Sequence, residues 1–232
     1  RQKLERALLN SVSHDLRTPL STITRVLSSI LEEGKRLSPT VYRELLENAR
    51  DEADRLNRFV GKLLDMTRLE AGAMVLKREP SDVEDLIGCA LDAMERQLAG
   101  RQVKVITPPG LPLVDLDMAL MHQVMVNLLD NAVKYSPDES VIEIEACCTE
   151  ETLQITVADQ GPGVPEDNLP RIFDKFYRVP VPEGISGTGL GLSICHGIVE
   201  AHGGTVTAKN REGGGLAVTL ALPLNPTSPI KG

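Results

Sequence analysis

The chain has no tryptophan, and aromatic residues make up only 3% of it, so aliphatic side chains must fill its interior. Positive charge is in deficit: 25 Lys and Arg against 33 Asp and Glu give a formal net charge of −8. That balance excludes the usual nucleic-acid partner, whose phosphates attract the opposite sign. No run is apolar enough to span a bilayer, and no secretory leader is visible. The four cysteines, Cys89, Cys147, Cys148 and Cys195, lack metal-type spacing; they are expected to be buried thiols in a reducing compartment. The Gly-Lys-Ser/Thr ending of a Walker phosphate loop is missing. The glycine run at 187–191 also lacks the third glycine and short βαβ setting of a dinucleotide fingerprint.

What is present is hydrophobic content of 41% over 232 residues, enough for one large or two small domains. Leu4, Leu8, Val12, Leu16, Leu20, Ile23, Leu27 and Ile30 recur at steps of three and four, the helical period. A helix advances about 100° per residue, so His14, two steps past Val12, points roughly 200° from that seam. Thr18 shares its face, and Asp15 flanks it. Gly34 stops this helix, and Ser38-Pro39 starts another as N-cap and first turn. Its seam runs Val41, Leu45, Ala49, Ala53, Leu56, Val60, Leu63. A short connection makes the pair an antiparallel hairpin. Two isolated helices cannot bury such long seams, so a homodimeric four-helix bundle is expected. Pro19 is expected to bend the first helix just past His14. Arg1 falls inside the helical pattern without a cap, so further segments, membrane-anchoring ones included, are expected upstream.

Around Gly72 the pattern changes. The spacing predicts a strand over 74–80, a helix over 83–98, strands near 103–107 and 113–114, and a helix over 118–135. Alternating runs at 141–146 and 153–158 read as antiparallel strands. A short helix near 166–173, a long irregular segment, a helix over 190–202 and strands near 205–209 and 217–222 complete the order. Several hairpins in a mixed sheet fit an α+β fold rather than a doubly wound one. The expected domains are 1–72, a helical hairpin; 73–223, an α/β sandwich; and 224–232, a frayed tail with little apolar content.

Three constellations carry chemistry. Asn127, Asn131 and Lys134 share a stripe on the 118–135 helix, offset from Met121, Met125, Leu128 and Ala132. Amides at interior helix positions compete for backbone bonds; amide oxygens suit Mg²⁺, and a lysine suits phosphate. A solvated polar face is the other reading of this stripe. Asp159-Gln160-Gly161-Pro162-Gly163 follows a strand, where glycines let backbone approach a flat ligand and a carboxylate accepts a bond from an exocyclic amine; a plain turn has the same letters. Gly187-Thr188-Gly189-Leu190-Gly191-Leu192 opens a helix, where amide groups hold phosphates. Between the last two lies Phe173-Asp174-Lys175-Phe176-Tyr177-Arg178, a mobile lid with aromatic anchors, in which Phe173 is expected only to supply hydrophobic packing for the loop.

Together, in this order, the histidine box, asparagine stripe, Asp-x-Gly-x-Gly, phenylalanine box and Gly-x-Gly-Leu-Gly-Leu resemble the sensor histidine kinases of two-component systems. The resemblance covers nearly the whole chain. It implies a dimerisation and phosphoacceptor hairpin, then a Bergerat-type ATP-binding domain of the gyrase, Hsp90 and MutL group. Leu63-Leu64-Asp65-Met66-Thr67-Arg68-Leu69-Glu70-Ala71-Gly72 and Asn131-Ala132-Val133-Lys134-Tyr135 are most similar to the Kdp-type potassium-responsive kinases.

The resemblance implies His14 as phosphoacceptor, Asp15 as general base or orienting carboxylate, and Thr18 as the residue that positions water when the regulator is dephosphorylated. It implies Asn131, helped by Asn127, as the Mg²⁺ ligand, and Lys134 and Tyr135 at phosphate or ribose. Asp159 reads the adenine amine, with Gly161 and Gly163 giving room; Gly187, Thr188, Gly189, Leu190 and Gly191 hinge the lid and line the phosphates. The implied partners are ATP and a response regulator, and the implied place is the cytoplasmic side of a bacterial inner membrane. The alternatives are an ATPase of the gyrase or chaperone type, a serine kinase with a related nucleotide domain, and a nucleotide-gated dimeric switch without phosphotransfer. His122 and His196 are read as bystanders, and His202 as a helix-terminal residue that is favourable there if charged.

Overall fold

The structure, a computed structural model, describes residues 2–33, 36–71, 74–179 and 189–224, with backbone only at 2–15, 33 and 70. The side chains of His14 and Asp15, and all of Gly187, Thr188 and the tail beyond 224, lie outside the described residues. Contacts divide the chain into two units, Arg1–Thr67 and Arg68–Gly232.

The first unit is a helical hairpin region built from α1 (Gln2–Glu33) and α2 (Pro39–Glu70). Helix α1 runs unbroken through Pro19. Ser38 caps α2 as its spacing predicts, its hydroxyl accepting the Val41 N–H at 3.3 Å. Val26, Ala49, Phe59 and Met66 are buried, whereas Leu20, Leu27, Leu31, Val41, Leu46, Val60 and Leu64 stay exposed in the single chain. A second copy would cover such a surface in the expected four-helix bundle.

The second unit is an α/β domain with a mixed sheet. β1 (Glu79–Ser81) pairs antiparallel with β3 (Val114–Leu116) in a small separate ribbon. The main sheet has the order β2-β4-β5-β7-β6, from β2 (Gln102–Ile106), β4 (Val141–Cys148), β5 (Thr152–Ala158), β7 (Leu216–Pro223) and β6 (Thr205–Asn210). Only β2–β4 is parallel, because β2 reaches β4 by a crossover through β3 and α5 (Met118–Tyr135). Alternation puts Ile142, Ile144, Leu153, Ile155, Val157, Val218, Leu220 and Leu222 in the core. The apolar sides of α5 and α6 (Gly191–Ala201) pack against the sheet, and α3 (Val83–Ala93) packs on α5.

Three expectations need correction. The 83–98 helix breaks at Met94, with φ −103° and ψ 8°, leaving a short α4 (Glu95–Leu98). The 74–80 strand is only three residues long, because its partner β3 offers no more. Among the cysteines only Cys195 is buried. Cys89 sits on an exposed position of α3 and Cys148 ends β4 beside its turn, so both are exposed, and all four are free thiols.

His202 is not charged at a helix end. It is 2% exposed; Nδ1 lies 2.7 Å from the Ile198 carbonyl, and Nε2 accepts the Asp117 N–H at 3.0 Å. Those partners require one donor and one acceptor, hence a neutral ring. Burial pushes its pKa below the ordinary imidazole value. Asp117 in turn caps α5, accepting the Leu120 N–H at 3.2 Å and the Lys77 N–H at 2.9 Å. The histidine therefore locks the end of α6 to the start of α5.

The unfolded chain takes up this proton near pH 6.5 while the folded domain resists it, so stability is full above that pH and falls as the solution is acidified. Denaturant titrations should show the wild type losing up to about 1.4 kcal/mol per pH unit from this group, and His202→Gln losing that component. Equal slopes for the two proteins would refute the neutral lock.

Candidate functional site

Asn127 is 5% exposed on α5, whereas Asn131 is half-buried and Lys134 exposed, so the stripe runs from the interior out to solvent. The position of Asn127 under α6 explains its burial: a Cβ placed on Gly191, the first residue of α6, would stand 3.9 Å from Asn127 Oδ1 and 4.0 Å from Asn131 Nδ2. Two constellations separated by some sixty residues of sequence thus meet at one point. Among the described residues, Asn127 Nδ2 is buried with no hydrogen-bond partner, a state that costs roughly 1–3 kcal/mol and that an incoming acceptor would relieve. Lys134 pairs with Asp130 one turn away.

The C-terminus of α5 is held by Arg101, which no motif singles out. Its guanidinium donates to the Val133, Ser136 and Pro137 carbonyls at 3.1, 3.3 and 2.8 Å, and to the Ser136 hydroxyl at 3.0 Å. It also pairs with Asp138 at 2.8 Å. A cation on the last carbonyls of a helix is favourably placed. The result fixes Tyr135, whose carbonyl forms a wall for the next constellation: a Cβ on Gly161 would lie 2.4 Å from it. Only glycine fits there.

Asp159 stands just past β5 and is 8% exposed. Its Oδ1 accepts the Gly161 N–H at 2.7 Å and the Leu216 N–H at 3.2 Å. Burial pushes its pKa above the ordinary carboxylate value; the two backbone hydrogen bonds and the Arg211 guanidinium pull the other way. Gly215, with φ +104°, crosses so close that a Cβ would fall 2.0 Å from the Asp159 carbonyl. The sequence signal for it is the triple glycine 213–215, which belongs to none of the motifs.

The Gly-x-Gly-Leu-Gly run is described from Gly189 onward. Gly189 has φ +67°, and a Cβ there would strike the Phe176 backbone at 2.8 Å. Phe176 itself takes φ +60°, rare for a non-glycine, and its N–H donates to the Gly189 carbonyl at 2.9 Å. Leu190 is fully buried and its carbonyl accepts the Ile194 N–H at 3.0 Å, so the run anchors α6 as well as opening it. Phe173 is only partly buried and packs against His196, ring centroids 5.8 Å apart; the Arg171 guanidinium lies 4.3 Å over the Tyr177 ring.

Asn127, Asn131 and Gly191 therefore meet at one point, and Tyr135, Asp159, Gly161 and Gly215 at another on the same helix. Thr18 belongs to the first unit. Among the described residues, no cluster of three His, Cys, Asp or Glu is placed to hold a metal, and no helix is long and apolar enough to cross a membrane.

Comparison with known proteins agrees with this architecture. Residues 4–72 match the His Kinase A (phospho-acceptor) domain. Residues 116–226 match the histidine kinase-, DNA gyrase B- and HSP90-like ATPase. The sensor protein KdpD of Clostridium acetobutylicum is 36% identical over 225 residues, which are 96% of this chain and 25% of that protein. The chain thus spans about a quarter of this relative's length. Among solved structures, the Acinetobacter baumannii histidine kinase AdeS superposes with a TM-score of 0.72 at 26% identity, covering 91% of this chain and 98% of that one. Full-length ShkA in complex with AMPPNP superposes with a TM-score of 0.70 at 26% identity, covering 97% of this chain and 47% of that one.

A buried carboxylate with a raised pKa burdens the free fold at neutral pH. Asp159→Asn keeps an oxygen for both amides and removes the charge. The ligand-free variant should melt at or a few degrees above the wild-type temperature, measured by calorimetry at neutral pH. A marked fall in melting temperature would contradict the burden.

Proposed function

Because this chain belongs to the sensor histidine kinases, we propose that it binds ATP in its second unit, phosphorylates His14, and passes the phosphoryl group to an aspartate of a response regulator. The observation that carries this reading is the buried Asp159 carboxylate at the end of β5, with glycine on each side where a side chain would collide. A flat base fits against such ground, and its exocyclic amine supplies the donor that a desolvated carboxylate lacks.

Asp159 reads the adenine amine, and Gly161 and Gly163 leave room for the ring. Gly187, Thr188, Gly189, Leu190 and Gly191 line the phosphates at the start of α6, with Lys134 and Tyr135 at phosphate or ribose. The unsatisfied buried amide of Asn127 beside Asn131 fits a Mg-nucleotide, since an amide offers a carbonyl to a hard cation and N–H donors to phosphate oxygen. Asn131 and Asn127 would hold Mg²⁺, which when bound neutralises phosphate charge.

In the transfer, a neutral His14 ring nitrogen forms the new bond to the γ-phosphorus as the bond to the bridging oxygen breaks, releasing ADP. Asp15 orients the ring and receives its proton. Phosphoryl transfer depends mainly on positioning and charge neutralisation. Thr18, one helical turn from His14, positions water when the phosphorylated regulator is hydrolysed. The exposed apolar residues of α1 and α2 form the homodimer. The chain works as the cytoplasmic part of a membrane-anchored sensor of the Kdp type.

Incubation with γ-labelled ATP tests the reading. Wild type should gain phosphate that is lost in acid and stable in base. His14→Ala should bind nucleotide with unchanged affinity and gain none, and Asp159→Asn should lose ATP affinity by at least about tenfold. Undiminished labelling of His14→Ala would sink the phosphoacceptor assignment, and full affinity in Asp159→Asn the base-reading one.

A further inference from the structure

Two adjacent residues at the end of β6, outside every motif, hold both ends of the loop that presents Asp159. Asn210 Oδ1 accepts the Val164 N–H at 2.8 Å, and Asn210 Nδ2 donates to the Val164 carbonyl at 2.6 Å. That pair of bonds fixes the far end. Arg211 fixes the near end: Nη1 donates to the Asp159 carbonyl at 3.0 Å, and Nη2 to Glu143 Oε2 at 2.6 Å. Glu143 stands opposite Ala158 in the β4–β5 register, so its carboxylate is anchored beside the strand end from which Asp159 emerges. The arginine's own backbone is set by the β6–β7 turn, where its N–H donates to Gly215 O at 3.0 Å and its carbonyl accepts the Gly214 N–H at 3.2 Å.

We propose that Arg211 is a positioning residue for the nucleotide base: oriented by Glu143, it fixes the Asp159 backbone and keeps a positive charge next to the carboxylate that receives the base amine. This rests on Asp159 being the base-reading group. A fork of donors spread over two acceptors explains why arginine stands here, since lysine's single ammonium cannot reproduce the planar geometry. The charge also has a direction. Burial raises the Asp159 carboxyl, and the Gly161 and Leu216 amides and Arg211 lower it. The charged groups at this point are Arg211 from the β6–β7 turn and, behind it, Glu143 from β4. Without Arg211 the carboxyl takes its proton at higher pH and loses the charge that strengthens its bond to the base amine.

Binding of a fluorescent ATP analogue to the full chain, followed from about pH 5 to about pH 8.5 with melting curves alongside, tests this. Arg211→Ala should weaken binding at neutral pH by about tenfold and move the acid loss of binding upward by about one pH unit. Arg211→Lys, which keeps the charge, should hold the acid midpoint near the wild-type value and lose only about threefold. A purely structural arginine would lower the melting temperature and leave the midpoint in place. A midpoint unmoved in Arg211→Ala, or moved equally in Arg211→Lys, overturns the proposal. Asp159→Asn separates the two claims: wild-type binding by that variant removes the base-reading role itself, whereas lost binding there with normal binding in Arg211→Ala removes only the positioning role.

Discussion

The second unit depends on α5 being immobile at both ends. Asp117 caps its start, receives the Lys77 N–H, and donates its own N–H to a neutral His202. Arg101 collects the carbonyls at its other end. Everything with chemical character hangs from the helix between those clamps. Asn127 and Asn131 meet the start of α6, and the Tyr135 carbonyl bounds the ground beside Asp159. A shift of α5 would disturb the Gly161 approach first, because the Tyr135 carbonyl leaves no room there even for a Cβ.

The ligand-free domain carries several groups that are poorly served. Asn127 Nδ2 is buried without an acceptor among the described residues. Asp159 is desolvated, and among the described residues only one of its oxygens accepts from protein backbone. Phe176 sits at positive φ. Each is a cost of order 1–3 kcal/mol or less in a fold with little to spare. Under the proposed reading, Asn127 and Asp159 face the nucleotide, so binding would satisfy groups already in place instead of building a site from solvent-exposed side chains.

Much of this was legible in the letters. The helical seams, the Ser38-Pro39 start and the strand alternation follow from local periodicity, which the fold obeys. The asparagine stripe, Asp159 and the glycine runs stand out in the sequence because each is a residue type that its local structure disfavours. What could not be read were contacts between distant residues of ordinary type. Arg101, Asn210 and Arg211 look like surface polar residues beside turns, and only the closed sheet shows what they hold. The break at Met94 has no glycine or proline to announce it. His202 does end α6 as its place before Gly203-Gly204 predicts, but packing against Asp117 demands a neutral ring where a helix C-terminus alone would favour a charged one. The cysteines were misread because an apolar neighbourhood in sequence says little about which face of α3 or which end of β4 a thiol occupies.

The apolar residues left open on α1 and α2, such as Leu31 at 86% and Leu20 at 55% exposure, divide the chain by the law of dilution each part obeys. A domain whose core closes on itself keeps its stability however thin the solution. A hairpin whose seam closes on another molecule gains stability with the logarithm of protein concentration. The two parts of one polypeptide therefore answer differently to concentration: dilution weakens the hairpin and crowding the chains together strengthens it, while the second unit is indifferent to both.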